Sequence, residues 1–161
     1  MQFSLAATLS LLTSTEAAQL WSKPSVKHVK TKAAVATSYT WSVTGWSAGC
    51  ARAGCYYDFN ISAPAFSNSV PAFKAYCSGF GEGTPYDKCE LLDNNETIRQ
   101  VAARLESVNT GGTGAHLAVS YEFVDPTSEN AYWNYTAYAV SEYSSLLLNF
   151  TVQPTEIWGV A

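Results

Sequence analysis

The fold is decided by an alternating stretch of apolar and polar residues, Cys55-Tyr56-Tyr57-Asp58-Phe59-Asn60-Ile61-Ser62. Successive side chains of a β-strand point to opposite faces, so Tyr57, Phe59 and Ile61 share one face. Asp58 and Asn60 then share the other face. The stretch therefore predicts a half-buried strand with one apolar side and one polar side.

The same alternation recurs along most of the chain. The segments are rich in aromatic and β-branched residues, and clusters of Gly, Pro, Asn and Asp separate them. They cover residues 39–44, 70–77, 86–92, 115–124, 132–140 and 146–152. Short strands repeated every eight to fourteen residues or so are typical of antiparallel all-β folds. We therefore expect an all-β, single-domain antiparallel β-barrel or sandwich of about 8–10 strands.

One segment, residues 96–106, has an ambiguous period. Ile98, Val101 and Leu105 recur at helical spacing, with Ala102 beside them. Val101, Ala103 and Leu105 also alternate as in a strand. Because the neighbouring segments on both sides are strands, a strand is favoured, and a helix remains the alternative.

The four cysteines predict two short-range disulfides. Four cysteines allow three pairings, and an oxidising compartment favours the formation of two bridges. Cys77 ends one predicted strand and Cys89 lies in the next, so a hairpin bridge between them is geometrically easy. Cys50 then pairs with Cys55 around a small loop that contains Gly54.

The N-terminus indicates export. Its apolar run, residues 3–12, is about ten residues long, whereas a membrane-spanning helix needs roughly twenty. Thr15 and Ala17 place small residues at the −3 and −1 positions of a cleavage site. We expect a signal peptide over residues 1–17, no membrane span, and a protein that is secreted and extracellular.

Charge divides the rest of the chain into two parts. Residues 18–38 carry Lys23, Lys27, Lys30 and Lys32 without a periodic apolar pattern, so we expect a flexible basic tail or pro-segment. The predicted β-barrel domain, residues 39–161, holds five basic and twelve acidic side chains. This acidic domain argues against nucleic acid as a partner.

Four N-glycosylation sequons agree with secretion. They begin at Asn60, Asn95, Asn134 and Asn149. Asn60 lies on the polar face of its strand, and Asn95 falls in a predicted turn. Alternation over residues 146–152 places Leu146 inward and Asn149 outward. We predict that all four asparagines can carry a glycan without disturbing the core.

Part of the chain resembles the Alternaria major-allergen family of small secreted fungal proteins. The segments that carry the resemblance are Tyr39-Thr40-Trp41-Ser42-Val43, Tyr56-Tyr57-Asp58-Phe59-Asn60-Ile61, Phe73 to Cys77, and Tyr86-Asp87-Lys88-Cys89. The resemblance implies a compact antiparallel barrel, the Cys77–Cys89 bridge, and a role as an effector or elicitor that acts on plant hosts. Some members of the family bind a small aromatic ligand or a host defence protein, so the resemblance also implies a partner of this kind.

The chain also departs from that family. It lacks the family's later cysteine pair and the N-terminal cysteine that links the founding allergen into a dimer, and it has Cys50 and Cys55 instead. Any homodimer is therefore expected to be non-covalent.

Exposed aromatic rings are the predicted contact surface. Aromatic residues make up 14% of the chain, and large aromatic side chains are common anchors at interfaces. Trp46, Tyr56 and Trp133 fall on polar faces or at strand ends, and Arg52 lies in the loop between Cys50 and Cys55. These four residues are the binding candidates.

No nucleophile, phosphate-binding or metal-binding motif is recognisable, so no catalytic residue, metal or cofactor is expected. The cysteines have C-x4-C spacing, and the two histidines, His28 and His116, lie in the tail and in a strand. We expect a non-catalytic effector or elicitor that binds a host protein, a glycan or a small aromatic ligand. One alternative is a hydrolase of cell-wall polysaccharide that uses two carboxylates about 5–10 Å apart, chosen from Asp58, Asp87, Glu90 and Asp93. The other alternative is a structural component of the fungal cell surface.

Overall fold

The computed structural model describes residues 38–94, 98–107, 114–128 and 131–160. These residues form ten strands and no helix. The strands are β1 (Trp41–Ala51), β2 (Gly54–Ala63), β3 (Phe73–Phe80), β4 (Asp87–Lys88), β5 (Glu90–Leu91), β6 (Arg99–Leu105), β7 (Ala115–Val124), β8 (Tyr132–Ser141), β9 (Ser144–Val152) and β10 (Pro154–Val160). The predicted signal peptide and nearly all of the basic tail lie outside the described residues.

The strands form two antiparallel sheets. The first sheet has the order β5-β3-β2-β1-β9 and the second has the order β10-β8-β7-β6-β4. Of the two predicted architectures, the sandwich therefore fits the structure, and the closed barrel, to which the domain prediction for residues 39–161 also referred, does not. Alternation could not separate the two architectures, because each strand has one buried face in both. Within the described ranges, no helix is long and apolar enough to cross a membrane.

The inner faces of the two sheets form an aromatic core. Tyr57, Phe59 and Ile61 are buried there, as the alternation of β2 predicted. The ring centroids of Phe73 and Tyr121, from opposite sheets, lie 4.3 Å apart. The Tyr57 and Tyr121 hydroxyls donate hydrogen bonds to backbone carbonyls, and these bonds satisfy the polar end of each ring.

A β-bulge changes the phase of β1. Its pairing register shifts between Thr44 and Ser47, and Gly45 adopts a positive φ of 66°. The extra residue turns Trp46 into the core, where the ring is fully buried and its Nε1 donates to the Glu142 carbonyl at 3.2 Å. The bulged Gly45 N–H donates instead to Asn149 Oδ1 at 2.9 Å. The prediction that Trp46 lies on a polar face is therefore wrong.

The other strand predictions are largely confirmed. The ambiguous segment is strand β6, with Val101, Ala103 and Leu105 in the core. Strand β10 was not predicted. Leu146 was expected to point inward but is 75% exposed, because the pairing of β9 with β1 is irregular there, between the pairs Trp46–Leu148 and Ala48–Ser144.

Both predicted disulfides form. Cys50 and Cys55 are directly opposed near the turn of the β1–β2 hairpin. Cys77 and Cys89 are buried, and their bond ties β3 to the segment that passes from the second sheet to the first. In the chain-entropy account, closing a loop of this length contributes about 3 kcal/mol to the free energy of unfolding.

Candidate binding groove

An open groove of about 650 Å³ runs from the outer face of the first sheet to strand β4 at the edge of the second. Strands β2, β3 and β4 supply its lining. The residues that determine its chemistry are Tyr56, Asp58, Tyr76, Phe80, Asp87 and Lys88.

The exposed aromatic side chains of the groove lie on one face of β2 and β3. Tyr56 on β2 lies opposite Phe80 on β3. Tyr76 lies on the same face of β3 as Phe80, because every second side chain of a strand shares a face, and Ser78 lies between them. The exposed fractions are 41% for Tyr56, 37% for Tyr76 and 57% for Phe80. Three large rings that remain this exposed on one sheet face form a surface suited to binding.

Two glycines of the β1–β2 hairpin position these rings. A Cβ atom added to Gly49 would lie 2.9 Å from the Tyr56 ring, and one added to Gly54 would lie 2.8 Å from the Phe80 ring. The two rings therefore lie directly over hairpin backbone. Any larger residue at these positions would lift the rings away from the sheet.

The floor of the groove is built around Tyr57. Its hydroxyl donates to the Ala103 carbonyl at 2.8 Å, and Gly79 lies opposite it on β3. Burial raises the pKa of Tyr57 above its ordinary value, and the neighbouring Asp87 carboxylate raises it further. The phenol therefore keeps its proton near neutral pH, and its hydrogen bond ties β2 to β6.

Charged groups flank the rings. Asp58 and Asp87 offer carboxylate oxygens as acceptors, and Lys88 offers an ammonium donor. Of the four carboxylates considered for hydrolysis, these two aspartates line the groove. Glu90 does not line it, and Asp93 pairs with Arg99. The groove can therefore combine ring stacking with hydrogen bonds to hydroxyl groups.

The four predicted binding residues do not form one surface. Tyr56 lines the groove, and Arg52 is exposed at the hairpin turn without lining it. Trp46 is in the core. Trp133 lies near the start of β8, where it is half-buried and packs against the core, and its Nε1 donates to Asp125 Oδ2 at 3.3 Å.

Tyr76 and Phe80 were missed as binding candidates. Residues 73–80 alternate clearly, and the buried positions Phe73, Ala75 and Cys77 place Tyr76 and Phe80 on the opposite face. That signal was present in the sequence. The pairing of Phe80 with Tyr56 was not, because it depends on the register between two strands.

The sequons differ in their surroundings. Asn60 is exposed and lies opposite Tyr76, next to the groove, and Asn149 is exposed on β9. Asn134 is half-buried, and its Nδ2 donates to Glu122 Oε1 at 2.8 Å. Asn95 lies outside the described residues. Glycosylation at all four remains a prediction.

No protein-family model, no curated protein and no solved structure matches this chain. The resemblance to the Alternaria major-allergen family therefore remains a prediction. The assignment of function rests on the groove.

Proposed function

We propose that this protein is a secreted, non-catalytic binding protein of the effector or elicitor type, and that its groove binds a glycan of the plant host. The observation that supports this proposal best is the set of three exposed rings, Tyr56, Tyr76 and Phe80, beside three charged side chains. The disulfides agree with an oxidising compartment.

The open shape of the groove favours a glycan over a small aromatic ligand. Pockets for small molecules are usually enclosed and bury about 70–90% of the ligand surface. A sugar chain needs less enclosure, because each sugar ring can place its apolar C–H face against an aromatic side chain. Its hydroxyl groups then point sideways, where Asp58 and Asp87 accept hydrogen bonds and Lys88 donates them.

Binding to polysaccharide tests the proposal. The protein is incubated with insoluble plant cell-wall polysaccharides, and affinities for the soluble oligosaccharides of any that bind are measured by calorimetry. Tyr56→Ala and Phe80→Ala should each weaken binding by about tenfold or more, which corresponds to about 1.4 kcal/mol. Tyr132→Ala is the matched control, because Tyr132 is 42% exposed and lies on β8, away from the groove.

Two results would contradict the proposal that the groove binds a plant glycan. Binding to no cell-wall polysaccharide, or binding in which the Tyr56→Ala and Tyr132→Ala variants behave alike, would refute it. Leaf infiltration tests the effector role separately. A folded Tyr56→Ala/Phe80→Ala double variant should provoke a weaker tissue response than the unchanged protein, and an equal response would count against the groove as the contact site.

A polysaccharide hydrolase is the second candidate, because Asp58 and Asp87 line the same groove. Glycoside hydrolysis needs two carboxylates on either side of the scissile bond, about 5–10 Å apart. Release of reducing ends from the bound polysaccharide would favour this activity. Its loss in both Asp58→Asn and Asp87→Asn, with polysaccharide binding retained, would assign the activity to this pair.

A further inference from the structure

A second group of ligand atoms lies at the end of the β1–β2 hairpin. Cys50 and Cys55 are opposed there with their Cα atoms 3.9 Å apart. Glu82, from the loop after β3, approaches the bridge. The two sulfurs and a Glu82 carboxylate oxygen all lie within 4.8 Å of one another.

The Glu82 backbone is held in place on both sides. Gly81 N–H donates to the Cys55 carbonyl at 2.6 Å, and Gly83 N–H donates to the Leu105 carbonyl at 2.9 Å. The Tyr143 hydroxyl donates to the Glu82 carboxylate and lies 3.9 Å from Cys55 Sγ. The carboxylate is therefore oriented by a fourth segment of the chain.

The two disulfides differ in access to solvent. Cys77 is fully buried and Cys89 is 4% exposed, whereas Cys50 is exposed and Cys55 is half-buried. Thiol–disulfide exchange requires an attacking thiolate to reach a sulfur atom. A thiol reductant should therefore open the Cys50–Cys55 bond first and leave the Cys77–Cys89 bond intact.

We propose that Cys50, Cys55 and Glu82 form a binding site for a thiophilic divalent metal ion such as Zn²⁺, and that reduction of the Cys50–Cys55 bond opens this site. A dithiol reductant supplies two electrons and two protons, the S–S bond breaks, two cysteine thiols form, and the reductant becomes a disulfide. The metal ion then displaces both thiol protons to solvent and forms two metal–sulfur bonds and one bond to a Glu82 oxygen.

The geometry and the ligand types suit such an ion. Tetrahedral zinc with Zn–S bonds of about 2.3 Å places two sulfurs about 3.8 Å apart, a separation that Cys50 and Cys55 can reach only after their disulfide is reduced. Two thiolates with one carboxylate are ligands that Zn²⁺ accepts, so the support for the site comes from the approach of Glu82 and not from the cysteine spacing. Tyr143 is a positioning residue, because it holds the carboxylate that would bind the metal.

The test uses Co²⁺ as a spectroscopic probe for the site. The purified protein is treated with a dithiol, the free thiols are counted, and Co²⁺ is added with and without the reduction step. The reduced protein should expose two thiols and bind one Co²⁺ with a sulfur-to-cobalt charge-transfer band. The oxidised protein should show no such band. Glu82→Gln should weaken binding of Co²⁺ and Zn²⁺ by about tenfold or more.

Matched variants separate this site from binding to any free dithiol. Glu90→Gln, at another exposed glutamate, should leave the affinity unchanged, and Tyr143→Phe should lower it less than Glu82→Gln does. Near-ultraviolet circular dichroism should show that the core survives reduction. The proposal is overturned by four exposed thiols, by loss of the core signal, by absence of the charge-transfer band, or by equal affinity in Glu82→Gln and the unchanged protein. None of these outcomes depends on whether the groove binds a glycan.

Discussion

Substitution of Trp46 should destabilise the fold. The ring is fully buried, its centroid lies 5.5 Å from that of Phe59 and 5.9 Å from that of Phe150, and its N–H donates to the Glu142 carbonyl. Removal of a core tryptophan side chain costs about 3–5 kcal/mol. Trp46→Ala should therefore lose a large part of a total stability that is about 5–15 kcal/mol for most domains.

Trp46→Phe divides this cost into its parts. The phenyl ring keeps most of the apolar contact but cannot donate to Glu142, and a lost hydrogen bond of this kind costs about 1 kcal/mol. The smaller ring also leaves space beside Phe59 and Phe150, which should cost about another 1 kcal/mol. Trp46→Phe should therefore lower the free energy of unfolding by about 2 kcal/mol, which is less than the loss expected for Trp46→Ala.

The measurement is urea unfolding at pH 7, followed by far-ultraviolet circular dichroism so that loss of tryptophan fluorescence does not matter. Tyr56→Ala serves as the comparison, because that ring is exposed in the groove and its removal should cost less than about 1 kcal/mol. If Trp46→Ala were as stable as Tyr56→Ala, the bulge at Gly45 would not turn the indole into the core.

Three further predictions concern packing and ionisation. Gly79→Ala should lower the stability by about 1–3 kcal/mol, measured by thermal unfolding, because the new methyl group would overlap the Tyr57 hydroxyl. Burial raises the pKa of Glu122 above its ordinary value of 4.5, although the Asn134 hydrogen bond opposes the shift. The resulting stabilisation is present below the ordinary pKa and is lost as pH rises through the raised one, so Glu122→Gln should flatten the decline of the unfolding temperature with pH in that range. Burial also raises the pKa of Tyr39 to about 12. In an alkaline titration followed by tyrosinate absorbance, Tyr39→Phe should therefore reduce the absorbance change near that pH by the amount of one tyrosine.

The features that were predicted correctly depend on alternation within a strand or on the order of adjacent strands. The alternation of β2 assigned its buried face, the strand positions of Cys77 and Cys89 gave their pairing, and the neighbours of β6 favoured a strand. Each of these inferences needed only the period of side chains along a strand and the order of adjacent strands.

The errors arose where geometry beyond one strand decides. The single extra residue at Gly45 reversed the phase of β1, so Trp46 was placed on the wrong face. The position of Tyr56 opposite Phe80 depends on register, and the approach of Glu82 to Cys55 depends on the path of a loop. A single sequence carries no direct signal for either of these contacts.

Two of the places where the chain passes between the sheets are single residues at opposite edges of the sandwich, Cys89 between β4 and β5 and Gln153 between β9 and β10. The passage at Cys89 is bonded covalently to β3, and it lies beside the groove, whose rings come from the first sheet and whose Lys88 comes from the second. The Cys77–Cys89 bond therefore links the wall formed by β3 covalently to the segment that carries Lys88. If the groove binds the proposed glycan, this covalent tie reduces the conformational entropy lost on binding, and affinity should then follow side-chain chemistry more than the cost of closing the protein around its ligand.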